Sequence, residues 1–258
     1  RPIDDLMSTR ASAALRAIAL AILAVAALLT LKNTAVILLS DRANPYPLTE
    51  WLLNYDGGFV RRGLAGSAVI ELRRLLGVSV NLSLFVAVSL CYLLLFAHVA
   101  RFALRAPQFG WLDALAIGSP AFVLFPALHQ VAGQRKEAIL FAFVSAIGLL
   151  AVKRWSRGIG VAVALSLAVL VAVHEGLLFF PLVFLCLVVQ FKASRFTWTR
   201  LALLAAPSVL MFGLCFLSTR TFGETSMSAL CAAIAEVATG ARCPPLHDPR
   251  LPFGSAEW

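Results

Sequence analysis

Long apolar runs, most of them closed by a short basic cluster, organise the chain. A membrane-crossing helix needs ~20 mostly apolar residues. The first run, about Ala13 to Leu31, follows Arg10 and contains Arg16. It lacks a clear small-x-small cleavage site before a polar region, so it reads as a retained span and not as a signal peptide. A polar outer loop, 40–62, comes next. The stretch 63–76, GLAGSAVIELRRLL, groups Glu71, Arg73 and Arg74 and predicts an amphipathic helix lying in the membrane interface. The second span covers about Val78 to Val99 and ends at Arg101 and Arg105. Trp111 to Leu128 and Ala138 to Val152 form a hairpin pair, the first arm broken by Gly118-Ser119-Pro120 and Pro126. Gly158 to Phe191 would be ~51 Å long as one helix, against a hydrocarbon core of ~30 Å. It therefore predicts two arms that turn at His174-Glu175-Gly176. Arms of ~24 Å would leave that tip in a depression below the membrane surface. A last span, about Leu201 to Leu217, leaves 218–258 as a polar tail on the outer face. The fold expected is all-α: a polytopic transmembrane helix bundle of about seven spans, residues 1–217, with an interfacial helix and an outer tail.

Composition agrees with that solvent. Of the 258 residues, 60% are apolar and 14% charged, against ~45–50% and ~25% in soluble domains. A soluble fold of this size keeps too much surface to hide that hydrocarbon. Disorder and a disulfide-dense secreted module are excluded by the same figures. A β-barrel would need alternating segments of ~10 residues, and the runs here are continuous. The net charge is +9, but most of the basic residues sit at the ends of apolar runs, where they set topology and meet lipid phosphates. No aromatic-basic RNA module or zinc-finger spacing is present, so no nucleic-acid partner is expected.

Loop charge orients the bundle. With the N-terminus inside, the short inner loops carry Arg101, Arg105, Lys153, Arg154, Arg157, Lys192, Arg195 and Arg200, and the short outer loops only Arg135 and Lys136. The long first loop runs against the rule by placing Arg42, Arg61, Arg62, Arg73 and Arg74 outside. Those arginines then need another reason to be there.

In this orientation three outer loops collect the unusual polar residues. The first reads Tyr55-Asp56-Gly57-Gly58-Phe59-Val60-Arg61-Arg62-Gly63. Asp56 is a candidate base or acceptor-orienting carboxylate, and Arg61 and Arg62 a phosphate clamp, since guanidinium groups bind phosphate oxygens bidentately. The plainer reading is the start of an interfacial helix whose arginines touch lipid headgroups. The second loop offers Arg135 and Lys136 as phosphate-binding groups, with Gln134 and Glu137 as further site candidates beside them, or all four simply as a solvated hairpin tip. The third places His174 and Glu175 inside an apolar run, where ionisable groups are expensive and functional by default. A carboxylate beside an imidazole tunes either for proton transfer. The alternative is a polar turn that the hairpin needs anyway.

Other signals are weaker. The His-Glu pair with distant His129 and Asp56 does not make a metal-ligand set, and HExxH is missing, so no metal centre is expected, although Glu175 could hold a divalent cation. Cys91, Cys186 and Cys215 lie in apolar spans, whereas Cys231 and Cys243 of the tail are disulfide candidates if that tail is outside the cytoplasm. Trp51, Trp111 and Trp155 fit an aromatic belt. His98 fits an interfacial position. Gly63 and Gly66 are too short a signal for a helix-packing motif.

The string YDGGFVRRGLAG after a first span, GQRKE at one hairpin tip and HEG at the next resemble a group of bacterial multi-pass membrane proteins. These are similar to envelope-polysaccharide polymerases and to GT-C glycosyltransferases. The resemblance covers about residues 40 to 180. It implies an enzyme of the bacterial inner membrane that transfers a sugar from a polyprenyl phosphate or diphosphate to a glycan or lipid acceptor on the outer face. Asp56 then stands at the acceptor, and Arg61, Arg62, Arg135 and Lys136 hold the phosphate. The chain departs from the pattern in having no paired-acid motif in the first loop and fewer spans. A transporter or lipid flippase and a non-catalytic subunit of a membrane complex are the rival readings.

Overall fold

A computed structural model describes residues 2–40, 45–56, 63–107, 109–151, 157–174, 198–218 and 224–237. All regular structure among the described residues is helical. The helices are α1 (Pro2–Leu39), α2 (Pro45–Trp51), α3 (Gly63–Leu76), α4 (Val80–Arg105), α5 (Trp111–Ile117), α6 (Phe125–Leu128), a 3-10 turn (Ala132–Gln134), α7 (Glu137–Ala151), α8 (Arg157–Val173), α9 (Trp198–Ser218) and α10 (Glu224–Val237). Two of them, within Ser12–Leu39 and Val80–Arg105, are long and apolar enough to cross a membrane. Only 22% of an apolar 18-residue window in the first and 39% of one in the second is buried. The core helix of a soluble protein would be mostly covered, whereas here Leu28, Val25, Leu90 and Leu104 stand exposed. Shorter apolar helices occupy Glu137–Ala146, Gly160–Val173, Ala205–Leu217 and Ser228–Val237.

The chain divides into two compact units, 1–43 with 85–149, and 44–84 with 150–258. In the first, α1 packs on α5, α6 and the 3-10 turn. α1 does not stop at Leu31 but continues through Lys32-Asn33-Thr34. The polar triplet is accommodated because Asn33 Nδ2 donates to the Ala127 carbonyl at 2.9 Å and Thr34 Oγ1 bonds both the Thr30 carbonyl and Gln134 Oε1 at 2.8 Å. Near its other end, Arg16 donates to the carbonyls of Ala103, Leu104 and Ala106 and so caps the C-terminus of α4, with Phe109 beneath its guanidinium. These contacts at both ends tie α1 into its unit. Arg16 and Thr34 are ~27 Å apart along α1, close to the ~30 Å of a hydrocarbon core.

The expected single arm from Trp111 to Leu128 is instead two short helices. Pro120 has no N–H and disfavours helix at Ser119, so α5 ends before Gly118 and the chain turns until α6. Asp113 accepts the Gly110 N–H at 2.9 Å and thereby closes the start of α5.

In the second unit α8 packs on α9, and α3 on α8 and α10. The helix predicted over 63–76 forms, and Gly77, at φ 68°, ends it. Loop 40–62 contains α2, which periodicity missed because seven residues span about two turns. The tail region holds α10, whose Leu230, Ala233 and Ile234 are buried at helical spacing. α10 therefore packs within the second unit, against α3. α8 stops at Val173, where the chain was expected to turn. The second arm of that hairpin, up to Phe191, lies outside the described residues.

Candidate functional site

Each unit carries its own set of buried polar groups. In the first unit the set lies at the end of α1 remote from Arg16. Asn33, Thr34, Gln134 and Lys136 are all buried, Gln134 and Lys136 completely. The backbone that presents them is tightly built. A Cβ on Gly133 would sit 2.7 Å from Pro126 Cα, and Tyr92 Oη donates to the Gly133 carbonyl at 2.5 Å. Only glycine lets the turn press on α6 this closely. Arg135 pairs with Glu137 at 3.5 Å, both about one-third exposed. The GQRKE string is thus a folded, largely buried element and not a loose tip in water. Gln134 and Lys136 are expensive groups to bury in an apolar unit.

In the second unit, Glu50 Oε1 of α2 lies 3.7 Å from His174 Nε2, and the two side chains are 5% and 8% exposed. Thr49, Trp51, Leu52 and Asn54 around Glu50 are buried too. The His174 N–H donates to the Leu170 carbonyl at 2.9 Å, which holds the imidazole just past the C-terminal turn of α8. Sequence reasoning missed Glu50. The available signal was a single carboxylate inside PLTEWLL, an otherwise apolar stretch of a loop read as polar.

Asp56 is elsewhere in this unit and differently occupied. Its carboxylate accepts from Arg74 at 3.0 Å and is 31% exposed. Arg74 also binds Glu71 at 2.8 Å and Glu236 of α10 at 2.9 Å. The hydrogen bond to Glu236 leads the causes that raise the Arg74 pKa, and the same bond holds Glu236 below the usual carboxylate range. One guanidinium thus gathers three carboxylates and fastens α10 to α3. Next to Asp56, the Tyr55 N–H donates to Ser67 Oγ at 2.8 Å. Burial first, and Cys215 second, push the Tyr55 phenol up to about 12. Gly66 lies so close to the end of α2 that a Cβ would meet the Leu53 carbonyl oxygen at 1.8 Å, and one on Gly63 would strike the Tyr55 ring. The glycine pair set aside as too short a motif is a packing contact after all, between a helix and an extended segment.

The remaining expectations divide as follows. Arg61, Arg62, Glu175, Cys186, Cys243 and Trp155 lie outside the described residues. Cys231 is disulfide-bonded, and Cys91 and Cys215 are free thiols. Trp51 is buried at 2% exposure and so belongs to a core, not to an aromatic belt, whereas Trp111 is 61% exposed. Comparison with known protein families, curated proteins and solved structures gives no match.

Proposed function

We propose that this protein is an integral membrane glycosyltransferase or polysaccharide polymerase. It acts on a polyprenyl-phosphate-linked sugar at the outer face of a bacterial inner membrane, with its N-terminus in the cytoplasm. α1 and α4 are the clearest spans, joined by the shorter apolar helices α7, α8 and α9 and the interrupted α5–α6 arm. The proposed bundle has about seven crossings. The observation that carries the reading is the burial of Gln134 and Lys136 beside Thr34 at the end of α1 opposite the Arg16 layer. A cation kept at that depth suits a lipid phosphate, whose tail stays in the bilayer and whose leaving oxygen gains negative charge during transfer. Lys136 and Arg135, with Arg61 and Arg62, are the phosphate-binding residues of this reading, and Asp56, His174 and Glu175 its acid–base candidates. A disulfide at Cys231 fits an α10 outside the reducing cytoplasm.

Deletion of the gene is the test. Polyprenyl-linked sugars should accumulate in extracted membranes and a surface glycan should be lost, with both restored by the parent gene and not by Lys136→Met at equal protein level. Unchanged lipid-linked sugars in the deletion strain would end the proposal.

A further inference from the structure

Resting on the glycosyl-transfer reading just given, we infer that His174 is the base that takes the acceptor's proton and that Glu50 is its positioning residue, the two forming a buried carboxylate–imidazole dyad. The carboxylate at Asp56 is poorly suited to that task. It is exposed to water and held by a guanidinium that also binds two other carboxylates. A base so engaged must break a charge-assisted hydrogen bond before it can accept a proton. His174 is placed differently. It is 8% exposed, its ring nitrogen faces Glu50 at 3.7 Å, and it follows directly on a helix C-terminus. The carboxylate and the negative end of the helix both stabilise positive charge on the ring when a proton arrives. Glu50 in turn is fixed by a helix whose Leu48, Trp51 and adjoining Leu52 are core residues. A carboxylate fixed this way beside the ring can position the imidazole.

The step balances. The acceptor hydroxyl oxygen bonds to the anomeric carbon of the lipid-linked sugar. The bond from that carbon to the phosphate oxygen breaks, and its electron pair leaves on the phosphate. The hydroxyl proton passes to the His174 imidazole, Glu50 stabilises the imidazolium, and the proton returns to water after release of the lipid phosphate. The substrate class for this site is therefore a hydroxyl-bearing glycan or lipid.

The experiment expresses full-length His174→Gln, Glu50→Gln, Glu50→Asp and Asp56→Asn in the deletion strain and quantifies polyprenyl-linked sugars in lipid extracts. Purified proteins are melted in detergent with and without undecaprenyl phosphate as the probe. His174→Gln should cut turnover ~100-fold, the scale of general-base catalysis, while the melting shift given by the lipid is unchanged. Glu50→Gln should lower turnover at least tenfold, Glu50→Asp should recover part of it, and Asp56→Asn should cost less than His174→Gln. Parental turnover in folded His174→Gln, or a deeper loss in Asp56→Asn than in His174→Gln, overturns the dyad. So does a Glu50→Asp protein no better than Glu50→Gln, or a set of variants that all melt before assay, since the pair is then structural. A deletion strain with no accumulated lipid-linked sugar instead overturns the underlying function, which keeps the two failures distinct.

Discussion

At the scale of single residues, two glycines and a tyrosine turn an unremarkable-looking string into fixed geometry. Gly66 admits the Leu52–Leu53 backbone where any Cβ would collide, whereas the obstacle at Gly63 is a side-chain ring. Gly66→Ala should therefore destabilise the protein by about 1–3 kcal/mol, the range for overpacking, and by more than Gly63→Ala, because a backbone cannot swing aside. Melting of the two purified variants against the parent checks the order. Tyr55 supplies a second prediction. Its phenol is raised from 10.0 to about 12 by burial. A raised acid favours its neutral form in the folded state, so its contribution is complete below pH ~10 and fades as pH climbs through the folded value. Phenolate absorbance should show a transition near pH 12 that Tyr55→Phe removes. A transition from Tyr55 near pH ~10 would mean that the residue is in water.

At the scale of elements, the sequence was most legible where one periodicity ran unopposed. The stretch 63–76 forms the helix expected of it, ended by a glycine at positive φ. It was least legible where side chains from elsewhere decide the outcome. Polar Asn33 and Thr34 looked like the end of a span because their partners, the Ala127 carbonyl and Gln134, are about 100 positions away. α2 and Glu50 were hidden because a helix of about two turns is stabilised by what it packs on and not by its own pattern. The expected polar tail contains α10 for the same reason. That helix invites a test of what holds it. Leu230, Ala233 and Ile234 form its buried stripe, while Glu236 and Arg74 lie in water. Apolar burial should dominate, since exposed ion pairs are worth little and are screened by salt. Ile234→Asp should release α10, seen as new protease cleavage within 224–237, and Arg74→Gln should not. The ion pair adds a smaller, pH-dependent part. Glu236 is depressed in the folded state, so its contribution is present above the ordinary carboxylate value of ~4.3 and is lost as pH falls through the lower folded one. A fluorophore at Val237 should become more mobile in that acid range in the parent, and Glu236→Gln should abolish the response.

At the scale of the whole molecule, the two ends of the first unit differ in chemistry, and the proposed orientation in a membrane follows from that difference. Arg16, Arg101 and Arg105 mark one end of the α1–α4 pair, where Arg16 bonds the last turn of α4. Asn33, Thr34 and the 3-10 turn mark the other, ~27 Å along α1. A bilayer that retains basic residues on its cytoplasmic side should hold the Arg16 end inside. Gln134 would be a natural reporter for the far end from sequence alone, but it is fully buried and would resist modification in either orientation. Gln130 is exposed and only a few residues away, and Arg105 is exposed at the arginine end. In intact cells a membrane-impermeant maleimide should therefore label Gln130→Cys at once and Arg105→Cys only after permeabilisation. The free thiols among the described residues are poor competitors, since Cys215 is buried and Cys91 lies within α4. Labelling of Arg105→Cys from outside would invert the bundle. It would put the buried Lys136 end on the cytoplasmic side and take that lysine away from an outer-face glycosyl transfer.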